Sequence, residues 1–313
     1  MSDAVVRIRG LRKCYGPTVA VAGMDLEVPQ GALFGLLGPN GAGKTTTFGI
    51  LCGWLKPTAG SATVLDTPCH RLYRIAGRVG AMPQDAAFPR QVAVHSQLIH
   101  FARLSGMDGA RAKREADRVL AAVGMHEAGR YRGSELSHGM LKRVALAQAL
   151  IAGPEVLFLD EPTAGLDPAA SRKIKDLIKS LTPRATVLVS SHNLAEIQEV
   201  ATHGAILDHG RVVASGSLDV LTRRGGEVTI EVREGATIPG PALEAAIPGA
   251  SIRIDRERIY VTFDANTDVA DVIGRLLRIL LDARVPVLGV LRGTSLENAF
   301  LEATAKEAPA RQL

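Results

Sequence analysis

The run Gly38-Pro39-Asn40-Gly41-Ala42-Gly43-Lys44-Thr45 constrains this chain more than any other segment. It matches G-x-x-x-x-G-K-[ST]. An apolar run, Ala32-Leu33-Phe34-Gly35-Leu36-Leu37, precedes it, and Lys44 to Leu51 reads as a helix behind it. A buried strand that turns on glycines into a helix directs backbone N–H groups and the positive helix end at one point. A polyphosphate fits that point. Gly38, Pro39, Asn40, Gly41, Ala42 and Gly43 supply the wrap, with Thr46 beside it. Lys44 offers a point charge to the β- and γ-phosphates, and the Thr45 hydroxyl is placed for Mg²⁺.

The rest of the first two thirds alternates strands and helices. Val5 to Arg9 reads as a strand, and Val19 to Val28 as a short strand pair. Helices are expected at Val94–Leu104, Ala110–Val123 and Gly139–Ile151. Strands are expected at Val156–Leu159, Thr186–Ser190 and Ala205–Leu207, with helices between them. Such alternation predicts an α/β fold with a parallel sheet and crossover helices. Arg223-Arg224-Gly225-Gly226 reads as a boundary. Beyond it, strands at Val228–Val232, Ser251–Ile254, Ile259–Phe263 and Val285–Leu291 combine with helices at Thr267–Ala283 and Ser295–Thr304 into a small α+β domain. The expected organisation is a nucleotide-binding domain over 4–222, with a helical subdomain at about 92–151, a small domain over 227–305, and a tail over 306–313. Net charge follows the division, at +8 over residues 1–226 and −3 over 227–313, so the first part is the better anion binder.

Val156-Leu157-Phe158-Leu159-Asp160-Glu161 places two carboxylates at the C-terminal end of a buried strand, the edge where α/β sheets bind ligands. Asp160 suits the Mg²⁺ shell. Glu161 suits a general base that polarises water. Cys14, Cys52 and Cys69 have no metal-type spacing, which fits a reducing compartment. No run approaches a membrane-spanning length, so a membrane role is expected to be borrowed from a partner.

In order and spacing, residues 4–222 resemble the ATP-binding cassette (ABC) ATPases. The resemblance implies a P-loop NTPase of the ABC ATPase fold, with ATP and Mg²⁺ as its ligands. Tyr15 matches the family's adenine-stacking aromatic. Gln84, in Met82-Pro83-Gln84, matches the glutamine that senses the γ-phosphate and Mg²⁺ and faces the membrane partner. Asp167, in Gly165-Leu166-Asp167, matches the loop after the second motif, and His192 matches the switch histidine. Taken singly, each also suits an ordinary role: Tyr15 a surface aromatic, Gln84 a solvated loop residue, Asp167 a helix cap, His192 a hydrogen-bonded histidine. The family signature, Leu-Ser-Gly-Gly-Gln, stands here as Leu136-Ser137-His138-Gly139-Met140, departing at positions three and five. By resemblance, Ser137 and Gly139 reach the γ-phosphate of ATP held by the opposite subunit. Ser137 also suits an N-cap. Leu296-Glu297-Asn298-Ala299-Phe300-Leu301 resembles the C-terminal motif of exporter ATPases encoded apart from their membrane subunits, such as the drug-export type.

The resemblance implies an ATPase subunit of an exporter at the cytoplasmic face of the plasma (inner) membrane. It would work with separate transmembrane permease subunits and a head-to-tail second copy or paralogue. By resemblance, the exposed face of the helical stretch at about 92–151 and the region around Gln84 form a groove for short helices of the membrane subunit. Ala86, Ala87, Phe88 and Pro89 lie there and suit an apolar interface and ordinary loop packing equally. The rival is a soluble ABC-type clamp acting in DNA or translation processes. A single phosphate loop, no long coiled coil and no concentrated Lys/Arg stripe argue against it, so no nucleic-acid partner is expected. An Asn-Lys-x-Asp guanine motif is also missing, which disfavours a GTPase.

Overall fold

The computed structural model describes residues 4–182, 184–222, 226–264 and 267–292. The chain divides between Gly216 and Ser217 into two compact units. The expected helix at Ser295–Thr304, the Leu296–Leu301 motif and the 306–313 tail lie outside the described residues.

The first unit begins with β1 (Ala4–Tyr15) and β2 (Thr18–Pro29), followed by β3 (Leu33–Leu37) and α1 (Lys44–Leu51). Then come β4 (Ala59–Val64), β5 (Thr67–Pro68), β6 (Val79–Met82), α2 (Val94–Leu104), α3 (Gly109–Ala122) and α4 (His138–Ala149). It closes with β7 (Val156–Asp160), α5 (Pro168–Leu181), β8 (Thr186–Ser191), α6 (Leu194–Val200), β9 (His203–Asp208) and β10 (Arg211–Ser217). One sheet has the order β2-β1-β4-β5, with antiparallel pairing throughout. The other has the order β10-β9-β3-β8-β7-β6, and its strands from β9 to β6 run parallel. Every residue of β3, β7 and β8 is buried, which is why Leu33–Leu37, Val156–Leu159 and Val187–Val189 run apolar without alternation. Helix α1 packs on this sheet through Phe48, whose ring meets Phe158 edge-on at 5.7 Å between centroids.

One expectation needs correcting. Val19–Val28 is not a strand pair but part of a single strand, β2, lying along β1. Gly23 looks like a turn residue in sequence. In the fold, Gly10 and Gly23 both have positive φ and sit where the β1–β2 register shifts, so they serve a bulge. Gly10 N–H donates to the Asp25 carboxylate there at 2.9 Å. The short strands β4, β5, β6 and β10 escaped the sequence reading because small and polar residues dilute their pattern.

The parallel register positions the site. Leu37 pairs with Ser191, Ser190 with Asp160, and Leu159 with Met82. The chain therefore leaves β3, β8, β7 and β6 along one edge. That edge carries the phosphate loop, His192, Glu161 and Gln84 in a row.

The second unit contains α7 (Leu218–Thr222), β11 (Gly226–Val232), α8 (Gly240–Ala246), β12 (Ser251–Asp255), β13 (Arg258–Phe263), α9 (Val269–Asp282) and β14 (Val287–Arg292). From β11 to β14 it is a split β-α-β-β-α-β arrangement, with an antiparallel sheet in the order β12-β13-β11-β14. Helix α8 was missed because its Pro239-Gly240-Pro241 start reads as a breaker. Helix α9 is capped by Asp268 and buries Val272, Leu276 and Leu280 at four-residue spacing against the sheet. Leu276 is fully buried, so Leu276→Ala is expected to destabilise this unit by about 2–5 kcal/mol. Urea unfolding followed by circular dichroism checks this, and a loss under about 1 kcal/mol would contradict the packing described.

Candidate functional site

Two glycines of the phosphate loop are sterically required. A Cβ on Gly38 would come within 2.4 Å of the Leu207 carbonyl oxygen, and one on Gly43 within 2.5 Å of that of Ala20. Gly43 also has φ +98°, in the range that L side chains rarely adopt. The loop is braced from within. Lys44 Nζ donates to the carbonyls of Gly38 at 2.7 Å and Pro39 at 3.1 Å, and Gly210 N–H donates to Ala42 O at 3.1 Å. A cavity of about 560 Å³ opens in front of the loop. Asn40, Gly41, Gly43, Lys44, Thr45 and Thr46 line it, together with Gln84, Glu161 and His192 from the adjoining strand ends.

Glu161 is the strained residue of this edge, with φ +49° on a side chain that has a Cβ. Such a conformation costs about 1–3 kcal/mol and persists only when the surroundings hold it. Here Glu161 N–H donates to Ser190 Oγ at 2.9 Å, while the Ser190 hydroxyl donates to Asp160 Oδ1. Glu161 O accepts from Lys142 Nζ at 3.2 Å and from Ala164 N–H at 3.2 Å. The strain aims the carboxylate. Its Oε2 lies 2.9 Å from His192 Nδ1 and its Oε1 lies 3.8 Å from Lys44 Nζ. Burial pushes the Lys44 ammonium below the ordinary lysine range, with Glu161 and then Asp160 opposing that shift. Burial does the same to Lys142, opposed by Asp85, Asp160 and Glu161.

The oxygen donors suited to Mg²⁺ converge. Thr45, Gln84 and Asp160 all line one further cavity of about 310 Å³, and Thr45 and Gln84 also line the larger one. A hydroxyl, an amide oxygen and a buried carboxylate are the hard donors Mg²⁺ takes, so the residues fit the ion.

Other expected residues lie outside the large cavity's lining. Tyr15 is half exposed, under the Lys13 ammonium at 5.0 Å from the ring centroid, and pairs across the β1–β2 turn with Thr18, which does line the cavity. Ser137 caps α4, accepting from Met140 N–H at 3.3 Å, and is exposed with His138 at the helix start. A Cβ on Gly139 would meet only ordinary contacts, at 3.7 Å or more, so packing within the chain does not demand glycine there. Asp167 caps α5 by accepting from Ala170 N–H at 2.9 Å. Phe88 and Ala86 are half-buried, Ala87 and Pro89 are exposed, and Ser134 N–H donates to Arg90 O at 3.2 Å beside them. Apolar surface beside Gln84 comes also from Trp54, 58% exposed, with Leu55 and Pro83 on the smaller cavity.

Sequence reading missed Ser190 as a bridge and Lys142 altogether. Lys142 does leave a trace, because it falls where α4 is otherwise apolar, three residues before the buried Ala145 and seven before the buried Ala149.

Comparison with known proteins gives the family and the fold. The family described as ABC transporter matches residues 21–164. A daunorubicin resistance ATP-binding protein, DrrA3, of Streptomyces coeruleorubidus is 34% identical over 312 residues, covering 98% of each chain. A Nod factor export ATP-binding protein I of Paraburkholderia xenovorans (strain LB400) is 33% identical, covering 98% of this chain and 99% of that protein. Both alignments run through the second unit. Among solved structures, cbiO1 of Clostridium perfringens, part of the transporter complex cbiONQ, superposes with a TM-score of 0.62 at 26% identity, over 70% of this chain and 91% of that one. The ATP-binding cassette MJ0796, a dimer bound to ADP and Pi, shares the fold with a TM-score of 0.63 at 24% identity, over 68% of this chain and 98% of that one.

Proposed function

We propose that this chain, which belongs to the ABC transporter family, works as the ATP-binding and ATP-hydrolysing subunit of an exporter whose membrane-spanning part is separate. The observation that carries this is the Glu161 carboxylate, held between Lys44 and His192 beside the phosphate loop. The relatives named for daunorubicin resistance and Nod factor export support the direction of transport. They do not favour the clamp reading. Among the described residues no helix is long and apolar enough to cross a membrane.

The chain's own residues divide the work. Gly41, Gly43, Lys44, Thr45 and Thr46 bind the polyphosphate, and Tyr15 offers its exposed ring to the adenine. Thr45, Gln84 and Asp160 would hold Mg²⁺, which would supply positive charge to offset that of the phosphates. Glu161 takes a proton from water as the water oxygen bonds to the γ-phosphorus. The bond to the β-phosphate oxygen breaks and ADP leaves. His192 holds the Glu161 carboxylate through Nδ1. Most of the rate comes from placement and charge.

Two copies facing head to tail complete each site with Ser137 and Gly139 of the other copy. The exposure of Ser137 and His138 at the α4 N-terminus and the unneeded bareness of Gly139 support that arrangement. The Trp54 surface beside Gln84 suits short helices of the membrane subunit. That would place the chain at the cytoplasmic face of the membrane.

Ser137→Asp separates a cap from a phosphate ligand. Asp caps as well as Ser, so the Tm is expected to hold. The new charge repels an approaching phosphate, so kcat should fall at least about tenfold. Steady-state ATPase assays and thermal melts check both, and an unchanged kcat removes Ser137 from the site. The transporter reading itself is tested by recovering tagged Glu161→Gln protein with ATP from detergent-solubilised source membranes. A stoichiometric polytopic membrane protein supports it. Ribosomal or DNA-bound partners overturn it.

A further inference from the structure

The described residues bury four charged side chains, and all four gather at this one edge: Lys44, Asp160, Glu161 and Lys142. The first three have parts in hydrolysis. Lys142 has none so far, yet a buried ammonium is costly unless it is fully used. Hydrophobic residues occupy most of the inward positions around it on α4. Its charge balances the cluster, so that two cations face two carboxylates.

Its hydrogen bonds are specific. Nζ donates to the main-chain carbonyl of Gln84 at 2.9 Å and to that of Glu161 at 3.2 Å. One side chain thus joins three segments: α4, whose first turn carries Ser137 and Gly139, the stretch after β6, and the stretch after β7. The second bond falls on the residue with strained backbone, where a shift of the peptide swings the carboxylate. We propose that Lys142 is a positioning residue for hydrolysis, tying α4 to the main chains of Gln84 and Glu161 so that the carboxylate is aimed only when α4 is seated. This rests on the ATPase reading above. Any movement of α4 then reaches both the base and the Mg²⁺-side glutamine through one ammonium group.

The test compares the purified full chain with Lys142→Met, which keeps the side-chain length but removes the donors and charge, and with Lys142→Arg, which keeps both in a planar fork. Steady-state kcat and KM for ATP are read, with the ATP Kd in EDTA as a readout apart from turnover. Lys142→Met is expected to lose about ten- to a hundredfold in kcat, as for a displaced catalytic group. KM and Kd should move by less than about threefold, and Lys142→Arg should recover part of the rate. A Lys142→Met kcat within about twofold of wild type overturns the proposal, as does a KM that rises in proportion to the lost rate. If Lys142→Met does not fold, Lys142→Gln is held to the same limits. Failure of both to fold assigns Lys142 to the fold alone and overturns the proposal. An inactive wild-type chain, by contrast, overturns the ATPase reading as well.

Discussion

Glu161→Gln is expected to lower kcat by about 10²–10⁴-fold while ATP binding is kept or strengthened, the range lost when a positioned general base is removed. The amide is nearly the same size, so the strained turn and its bonds to Ser190 and Lys142, all made by the main chain, should survive. What goes is the proton acceptor and one negative charge 3.8 Å from Lys44. Losing that charge beside a polyphosphate favours binding. The variant should therefore accumulate ATP-bound, and on the head-to-tail reading as a dimer. Single-turnover phosphate release and size exclusion with ATP give the two readouts. Wild-type turnover would remove Glu161 from its role.

Lys44→Ala is expected to weaken ATP binding by about a hundredfold or more, roughly 2.7 kcal/mol. Three losses add up. The ammonium no longer meets the phosphates, and hydrogen bonds to charged groups are worth about 1.5–3 kcal/mol each. The loop loses its two internal braces at Gly38 O and Pro39 O, so its carbonyls are free to turn toward the ligand. The buried Glu161 carboxylate loses its nearest cation and adds uncompensated negative charge to the cavity. Equilibrium dialysis with ATP and Mg²⁺ measures the change. An affinity within about threefold of wild type would contradict the phosphate-loop assignment.

Much of this site was legible before any coordinates, and the legible part is local. The phosphate loop, the apolar run ending in Asp160-Glu161 and the helices at 94–104 and 138–149 each declare themselves within a dozen residues. Glycine spacing and hydrophobic periodicity act at that range. His192 follows a strand that the sequence announces, and both it and Gln84 were placed by an order and spacing that resemble the ABC ATPases.

What the sequence left open is non-local. Whether Gly23 turns the chain or bulges it depended on β1 lying alongside, and the place of β3 in the parallel sheet is carried by pairings between residues more than a hundred positions apart, such as Leu37 with Ser191. Lys142 looks like an ordinary helix lysine until the fold brings the carbonyls of Gln84 and Glu161 to it from segments 58 and 19 residues away. By itself, then, the sequence determined which groups could bind and cleave a phosphate. Only the tertiary structure decided how they are held. The bonds that aim Glu161 come from Ser190, His192 and Lys142, and hydrogen bonds across such separations leave no periodic mark on the chain.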